Sequence, residues 1–363
     1  MLACIGWSSV NSIVGAQLIA TVNPSVPGGA GIAIIAVCTF VVCTFGYKIV
    51  HYYEFVAWVP PFIVFLILLG VFAHSGDFVN IPWETGTAEL GSVLSYGSVI
   101  YGFATGWTSY AADYTVYQPA NQSRRKVFLW TWLGLIIPLL FTEFLAVAIM
   151  SATTINGGDN RYQAGYEATG TGGLIGAVLV HLGTFGKFCM VILALSIIAN
   201  NAPNIYSVGL TAQVLARKSA KIPRFIWTAV ATGVYIAIAI PGYSHFEDIL
   251  KNFMNFIGYW LAIYEGIALC DHFVFRRGSM DAYNPDDYDH PEKLPPGIAA
   301  IVAFLCGIAG MVTGMSQEWY VGPVALHAGK GATGGDVGFE QGFAFAFVAY
   351  LVLRPIELRY FGR

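Results

Sequence analysis

Long apolar runs alternate with short polar stretches along most of the 363-residue chain. A helix needs about 20 apolar residues to cross the hydrocarbon core of a bilayer. The pattern predicts ten spanning helices, at residues 2–22, 29–47, 55–73, 91–113, 127–150, 185–213, 224–241, 248–273, 297–316 and 338–356. A shorter apolar piece at 173–183 predicts a re-entrant or interfacial helix. The expected fold class is an all-α polytopic membrane protein.

The distribution of basic residues sets the expected orientation, because cytoplasmic loops of membrane proteins are enriched in Lys and Arg. If both termini of this chain are cytoplasmic, all but four of the 18 lysines and arginines fall in inside loops or in the tail. The exceptions are Arg161, Lys187, Lys251 and Lys330. The sequence therefore predicts a multi-pass protein with both ends of this chain in the cytoplasm.

Composition agrees with a lipid environment. The chain is 56% hydrophobic and only 11% charged, whereas a soluble domain carries about 25% charged residues. The net charge of −3 and the lack of a long basic run argue against a nucleic-acid partner. The six cysteines are scattered through apolar segments without a CxxC spacing. They predict buried thiols, with no disulfide, metal site or cofactor.

A cluster of polar residues interrupts the sixth span. Asn200, Asn201 and Asn204 lie in apolar sequence beside Pro203, and hydrocarbon offers amides no hydrogen-bond partner. Pro203 lacks an N–H, so the helix should bend or open there. Irregular backbone at this depth is tolerated where it lines a cavity, which predicts a polar ligand site. The alternative is a kinked helix whose asparagines bond to neighbouring helices.

Two tryptophans extend the candidate site. Trp7 and Asn11 are one turn apart on one face of the first span. In the fourth span Gly106 directly precedes Trp107, and glycine there permits unwound backbone or close approach of a ligand. The alternatives are a tryptophan at the membrane interface and glycines that serve helix packing.

These residue types favour a flat, polar, uncharged ring as the ligand. Aromatic rings stack on a π-face, and asparagine amides pair with ring N–H and C=O groups. The spans hold no cluster of Lys or Arg that would bind a phosphate or a carboxylate. A channel needs a continuous polar lining, and an enzyme needs a nucleophile–base or metal constellation. Since neither pattern is present, the sequence favours a carrier that is not an enzyme.

Four of the carboxyl groups that lie in or at the edges of spans are candidates for a role in transport or packing. Glu143 is in the middle of the fifth span, Glu54 opens the third, and Glu265 and Asp271 belong to the eighth. A carboxyl inside the membrane is costly unless it is paired or protonated. Each is therefore a proton carrier or a member of a structural ion pair, and Glu54 has the further alternative of an interfacial position.

Four motifs carry a family resemblance: GWSSVNSIVGAQ, YGFATGWTSYAADYTVYQP, NQSRRKVF and IIANNAPNIYSVGL. With them the chain resembles fungal purine–cytosine permeases of the nucleobase–cation symport family. The resemblance implies two inverted five-helix repeats with two further helices, and a substrate site at the midplane. It also implies that Trp7 and Trp107 stack on the base and that Asn11 and Asn204 hydrogen-bond it. The shaping and gating residues would be Gly106, Asn200, Asn201 and Pro203.

The same resemblance places residue 1 at the third helix of the family. The expected organisation is a remainder of the first repeat at 1–73, the second repeat at 91–273, and two additional spans with a tail at 297–363. The chain is then expected to lack the first two helices, including a broken helix that contributes to the site. A span that begins at residue 2 with no leader before it favours the same interpretation.

Coupling to protons is expected. In sodium-coupled relatives the sixth-span helix offers hydroxyl side chains just before the first asparagine, whereas this chain has Ile198 and Ala199. Glu54 and Glu143 are the candidate proton carriers.

The expected function is import of adenine, guanine, hypoxanthine and cytosine across the plasma membrane by proton symport with alternating access. The expected partners are thus a nucleobase, a coupling proton and the lipid bilayer. The alternatives are transport of pyridoxine or another flat heterocycle, and a truncated chain that does not transport.

Overall fold

A computed structural model of the chain describes residues 1–44, 52–53, 55–83, 85–108, 111, 115, 118–119, 121–216, 218–287 and 290–362. The α-helices are α1 Leu2–Val22, α2 Gly28–Thr44, α3 Val59–Ser75, α4 Thr87–Ala104, α5 Arg124–Ser151, α6 Arg161–Leu179, α7 Gly183–Val214, α8 Arg224–Gly242, α9 Phe246–Cys270, α10 Ile298–Gly314, α11 Pro323–His327 and α12 Gly338–Phe361. Short 3-10 turns follow several helices, a π-helical turn at Asp271–Phe275 extends α9, and β1 Ser316–Gln317 pairs antiparallel with β2 Tyr320–Val321.

The helices agree with the expected all-α membrane class. Within the described residues, seven helical segments are long and apolar enough to cross a bilayer, and α2 and α10 are shorter apolar helices. Each of the ten expected spans overlaps a helix. The span expected at 91–113 corresponds to α4 and the 3-10 turn Thr105–Trp107. Most residues after Thr108 in that span lie outside the described part of the chain.

The bounds expected for the short apolar piece are wrong. Instead of a helix at 173–183, α6 begins at Arg161 and ends at Leu179. Its backbone is non-helical at Thr169 and Gly170, so each half has only about two turns. Neither half is long enough to cross a bilayer alone, which agrees with a segment that does not span. The polar sequence of its first half hid the helix from an argument based on apolar runs.

The chain forms two compact units. The first contains Met1–Ile81 and Ala112–Ile249, and the second contains Pro82–Ala111 and Leu250–Arg363. These units are defined by packing and are not the repeats expected from the sequence, so the repeat boundaries stay a prediction.

In the first unit α1 packs against α2, α6, α7 and α8. A core of buried side chains joins α1 to α3, α5, α6 and α7; it includes Leu18, Leu68, Ile149, Val178 and Leu193. The first helix is therefore a central element of this unit, which places its polar face against other helices rather than lipid.

One of the four basic exceptions is neutralised in this unit. Arg161, at the start of α6, forms an ion pair with Asp77 at 3.0 Å. Tyr162 donates its hydroxyl to the same carboxylate. That hydrogen bond, together with the charge of Arg161, lowers the pKa of Asp77. A basic residue is thus tolerated on the side where the orientation predicts few of them, because it has an acidic partner.

In the second unit α10 and α12 form a helix pair, and a loop after α10 folds back onto α9. Asp336 of this loop is buried, with 1% of its surface exposed. Its carboxylate accepts a hydrogen bond from the Tyr259 hydroxyl. It also accepts hydrogen bonds from the backbone N–H groups of Ser316, at 2.8 Å, and of Gly338, at 3.0 Å. The loop between α10 and α12 is therefore fixed to α9 by a fully bonded carboxylate.

Glycines bring α4 and α9 of this unit into direct backbone contact. A Cβ atom at Gly102 would overlap the carbonyl of Met254, and one at Gly258 would lie 3.1 Å from the Cα of Gly102. Small residues allow such close approach in membrane helices. The structure therefore assigns Gly102 a role in helix packing.

We expect Gly102→Leu to reduce the free energy of unfolding by about 1–3 kcal/mol, because the side chain overpacks a contact with no room. Thermal unfolding of detergent-purified protein measures this change. Gly97→Ala in the same helix is the matched control, because nothing lies within 4 Å of a Cβ atom there. An unchanged melting temperature for Gly102→Leu would contradict the contact.

Candidate functional site

Asn201 is the centre of a polar contact between α1 and α7. Its side chain is fully buried, with 0% exposed. Its Nδ2 donates to Ser12 Oγ at 3.1 Å and to the Ser8 carbonyl at 3.3 Å, while its Oδ1 accepts from Asn11 Nδ2 at 3.0 Å. Both the nitrogen and the oxygen of the Asn201 amide thus form hydrogen bonds, which suits a residue that shapes the site.

Asn204 and Asn200 differ although they share one helix face. The side chain of Asn204 is 4% exposed, and its Nδ2 donates to the Asn200 carbonyl at 3.3 Å. The Asn200 side chain is exposed. Asn204 therefore presents an amide within a buried stretch of α7, and its contact with a ligand stays a prediction.

Of the two outcomes expected at Pro203, a bend or an opening, opening does not occur, because α7 is continuous from Gly183 to Val214. Proline removes one N–H, here the donor for the Ala199 carbonyl. Every residue from Asn201 to Gly209 is buried. Packing on these residues offsets the loss of a single hydrogen bond.

The two tryptophans lie in different units. Trp7, 9% exposed, is in α1, one turn before Asn11. Trp107 is half-buried at the end of the 3-10 turn that follows α4, beside the buried Gly106. The backbone there is a tighter helix instead of the unwound segment that glycine permits. The proposed stacking by both tryptophans stays a prediction.

The structure adds little about the two predicted proton carriers. Glu54 lies outside the described residues. Glu143 is half-buried in α5, and none of the described residues forms a hydrogen bond or ion pair with it. Asp271 is a structural residue as expected, since it pairs with Arg276 at 2.6 Å and accepts from the Tyr350 hydroxyl at 3.0 Å.

Glu265 has a set of partners that sequence reasoning missed. Its carboxylate accepts from the Tyr101 hydroxyl at 2.6 Å, from Thr108 Oγ1 at 2.7 Å and from Thr105 Oγ1. The three donors are four and three residues apart, a spacing that puts hydroxyls on one face of a helix. That spacing could have indicated a row of hydroxyl donors, but the sequence does not say which carboxyl group accepts from them.

No group of His, Cys, Asp and Glu suited to a metal ion occurs among the described residues. The six cysteines, all described, are thiols, and Cys4, Cys43, Cys189 and Cys270 are buried. The expectation of buried thiols is confirmed for these four, while Cys38 and Cys306 are partly exposed.

Comparison with known proteins identifies the family. The profile of the permease family for cytosine/purines, uracil, thiamine and allantoin matches residues 1–324. A purine-cytosine permease of Emericella nidulans is 65% identical over 363 residues, which cover 100% of this chain and 70% of that protein. A purine-cytosine permease of Saccharomyces cerevisiae is 46% identical over 369 residues, 100% of this chain and 68% of that protein.

A vitamin B6 transporter of Saccharomyces cerevisiae is 33% identical over 413 residues, 100% of this chain and 70% of that protein. No solved structure matches the chain. The chain belongs to the family of permeases for cytosine/purines, uracil, thiamine and allantoin. The resemblance to fungal purine–cytosine permeases is thereby confirmed, and the protein is a multi-pass membrane transporter.

We expect Asn201→Ala to destabilise the protein by about 1–3 kcal/mol, because it leaves buried polar groups of α1 without partners. Asn204→Ala removes a hydrogen bond within α7 and should change stability by less. Thermal unfolding in detergent distinguishes the two, with the exposed Asn284→Ala as control. Equal destabilisation by Asn201→Ala and Asn204→Ala would contradict the separate roles.

Proposed function

We propose that this chain imports cytosine and the purine bases adenine, guanine and hypoxanthine by proton symport, with alternating access. The observation that carries the proposal is the buried amide of Asn204 in an apolar helix of a chain 65% identical to a purine-cytosine permease. The lower identity of 33% to a vitamin B6 transporter gives pyridoxine less support.

The side-chain amides of Asn11 and Asn204 support a nucleobase as the substrate. Asn11 uses its Nδ2 on Asn201, which leaves its Oδ1 to accept an N–H of the base. Asn204 adds a second amide, and a buried amide gains most from a ligand that satisfies its hydrogen bonds. Residues 191–210 contain neither Lys nor Arg. A neutral base therefore suits this stretch better than a nucleotide, whose phosphate needs a cation.

The remaining residues have supporting roles in this proposal. Trp7 and Trp107 stack on the flat ring, which contributes affinity without selecting hydrogen-bonding groups. Gly106, Asn200, Asn201 and Pro203 shape the site and the helix that gates it. Transport follows when two inverted five-helix repeats move relative to each other around the bound base.

Proton coupling is part of the same proposal. Ile198, 6% exposed, and Ala199 have no side-chain oxygen to coordinate sodium. A proton needs only one titratable group, and Glu54 and Glu143 are the candidates from the sequence. We place the protein in the plasma membrane with both ends of this chain in the cytoplasm, because basic residues concentrate on that side.

Uptake of labelled cytosine by cells lacking their own nucleobase permeases tests the proposal. We expect saturable uptake that a protonophore abolishes and that excess adenine, but not pyridoxine, inhibits. The chain is compared with a chimera carrying the part of the Emericella nidulans permease outside the aligned region. Uptake that survives the protonophore would contradict symport, and inhibition by pyridoxine alone would contradict the substrate class.

We expect Asn204→Ala and Trp107→Ala to abolish uptake in whichever form transports, while the protein still reaches the membrane. Asn284→Ala and Trp130→Ala are matched controls, since Asn284 is exposed and Trp130 is 70% exposed. Surface labelling measures the amount of protein in the membrane. Near-normal uptake by both site variants would contradict the assigned residues.

A further inference from the structure

Glu265 is a carboxyl group in an apolar helix whose partners are all hydroxyls. Tyr101 donates at 2.6 Å and Thr108 at 2.7 Å, and Thr105 donates to the same oxygen as Thr108. No ion pair to Glu265 forms among the described residues. A carboxylate without a cation is costly in a membrane, so its charged form depends on these three donors.

Three helices pack against the part of α9 that carries Glu265. The elements packed on this part of α9 are α4, α10 and α12. The titratable groups on them include Tyr101 of α4, Cys306 of α10 and Glu340 of α12. Glu340 follows Phe339, whose ring stacks on Tyr101 with centroids 4.0 Å apart. Tyr101, which donates to Glu265, is thus held by contacts with both α9 and α12.

Glu265 is not sealed inside the packed helices. Its side chain is only partly buried, and Thr108, which donates to it, is exposed. A group that takes up and releases a proton during each transport cycle cannot be fully enclosed by protein. Glu143 also is partly buried, but none of the described residues offers it a partner whose position would change with its charge.

The hydroxyl donors to Glu265 lie beside Trp107, one of the proposed stacking residues. Thr105 and Thr108 flank Gly106 and Trp107 in a short 3-10 turn. Such turns have poorer hydrogen-bond geometry than α-helix, so they rearrange at lower cost. When the carboxylate takes up a proton, one of its oxygens becomes a donor, and a hydroxyl that donated to it must turn or leave. Protonation therefore acts directly on the segment that holds Trp107.

We propose that Glu265 is the proton-binding group of the transport cycle, and that its protonation is linked through Thr105 and Thr108 to the position of Trp107. The carboxylate gains one proton from the side of uptake and loses it on the other side, so no further reactant is needed. This inference rests on the proposed proton symport and assigns the residue that carries the proton.

The test uses protein reconstituted in vesicles with two readouts. Counterflow, the exchange of labelled for unlabelled cytosine, needs the substrate site but no net proton movement. Accumulation driven by an imposed pH gradient needs both the substrate site and net proton movement. We expect Glu265→Gln to retain counterflow and to lose gradient-driven accumulation and its dependence on external pH. Glu265→Asp should restore part of the accumulation. Glu167→Gln, an exposed glutamate in α6, is the control.

Thr108→Val tests the linkage while the carboxyl stays in place. Removal of one donor to the charged form should raise the pH of half-maximal uptake by about one unit. Thr44→Val is the matched control, since the exposed Thr44 donates only to the Phe40 carbonyl of its own helix, at 2.8 Å. A pH profile that is the same in Thr108→Val and in the unaltered chain would overturn the linkage.

Two results separate this inference from the proposed function. If the unaltered protein accumulates cytosine without a pH gradient or a membrane potential, proton symport is wrong. If its accumulation needs the gradient and Glu265→Gln still accumulates cytosine, symport stands and the assignment of Glu265 is wrong. Loss of gradient-driven accumulation in Glu143→Gln, with Glu265→Gln unaffected, would overturn the assignment in favour of Glu143.

Discussion

The buried side chain of Asn201 is the interaction on which the first unit depends. An amide that is fully removed from water must satisfy its donors and acceptor inside the protein. Asn201 does so with Ser8, Asn11 and Ser12 of α1. A shift of α1 along α7 by one residue would break all three bonds. The register that places Trp7 and Asn11 on the same helix pair as Asn204 is therefore set by hydrogen bonding, which apolar packing between smooth helices would not specify.

The second unit depends on a different interaction, a close contact between glycines. Gly102 and Gly258 let the backbones of α4 and α9 touch. Only because the helices are this close can short threonine side chains after α4 reach Glu265 of α9. The carboxylate in turn holds the 3-10 turn that carries Trp107. Small residues thus do more than pack helices here, since they set the distance at which a membrane carboxyl can be satisfied by hydroxyls.

The two interactions differ in charge. Asn201 and its partners in α1 are neutral. In the second unit the carboxyls of Asp336, Asp271 and Glu265 each have defined partners. Relatives named as purine-cytosine permeases and a vitamin B6 transporter align with the whole of this chain. Such a frame is compatible with different flat rings, which only a few side chains need to distinguish.

The sequence by itself determined the membrane class, the positions of the helices and the polar stretch of α7, because apolar length and an asparagine in hydrocarbon have local physical meaning. Motifs of residues 6–210 were sufficient to recognise the family. The sequence did not determine which asparagine is used for helix packing, since Asn200, Asn201 and Asn204 are chemically identical and only their neighbours differ. It also missed the first half of α6, where polar residues conceal a helix, and the partners of Glu265. These were decided by tertiary structure, because each depends on which face of one helix meets residues far away in the chain.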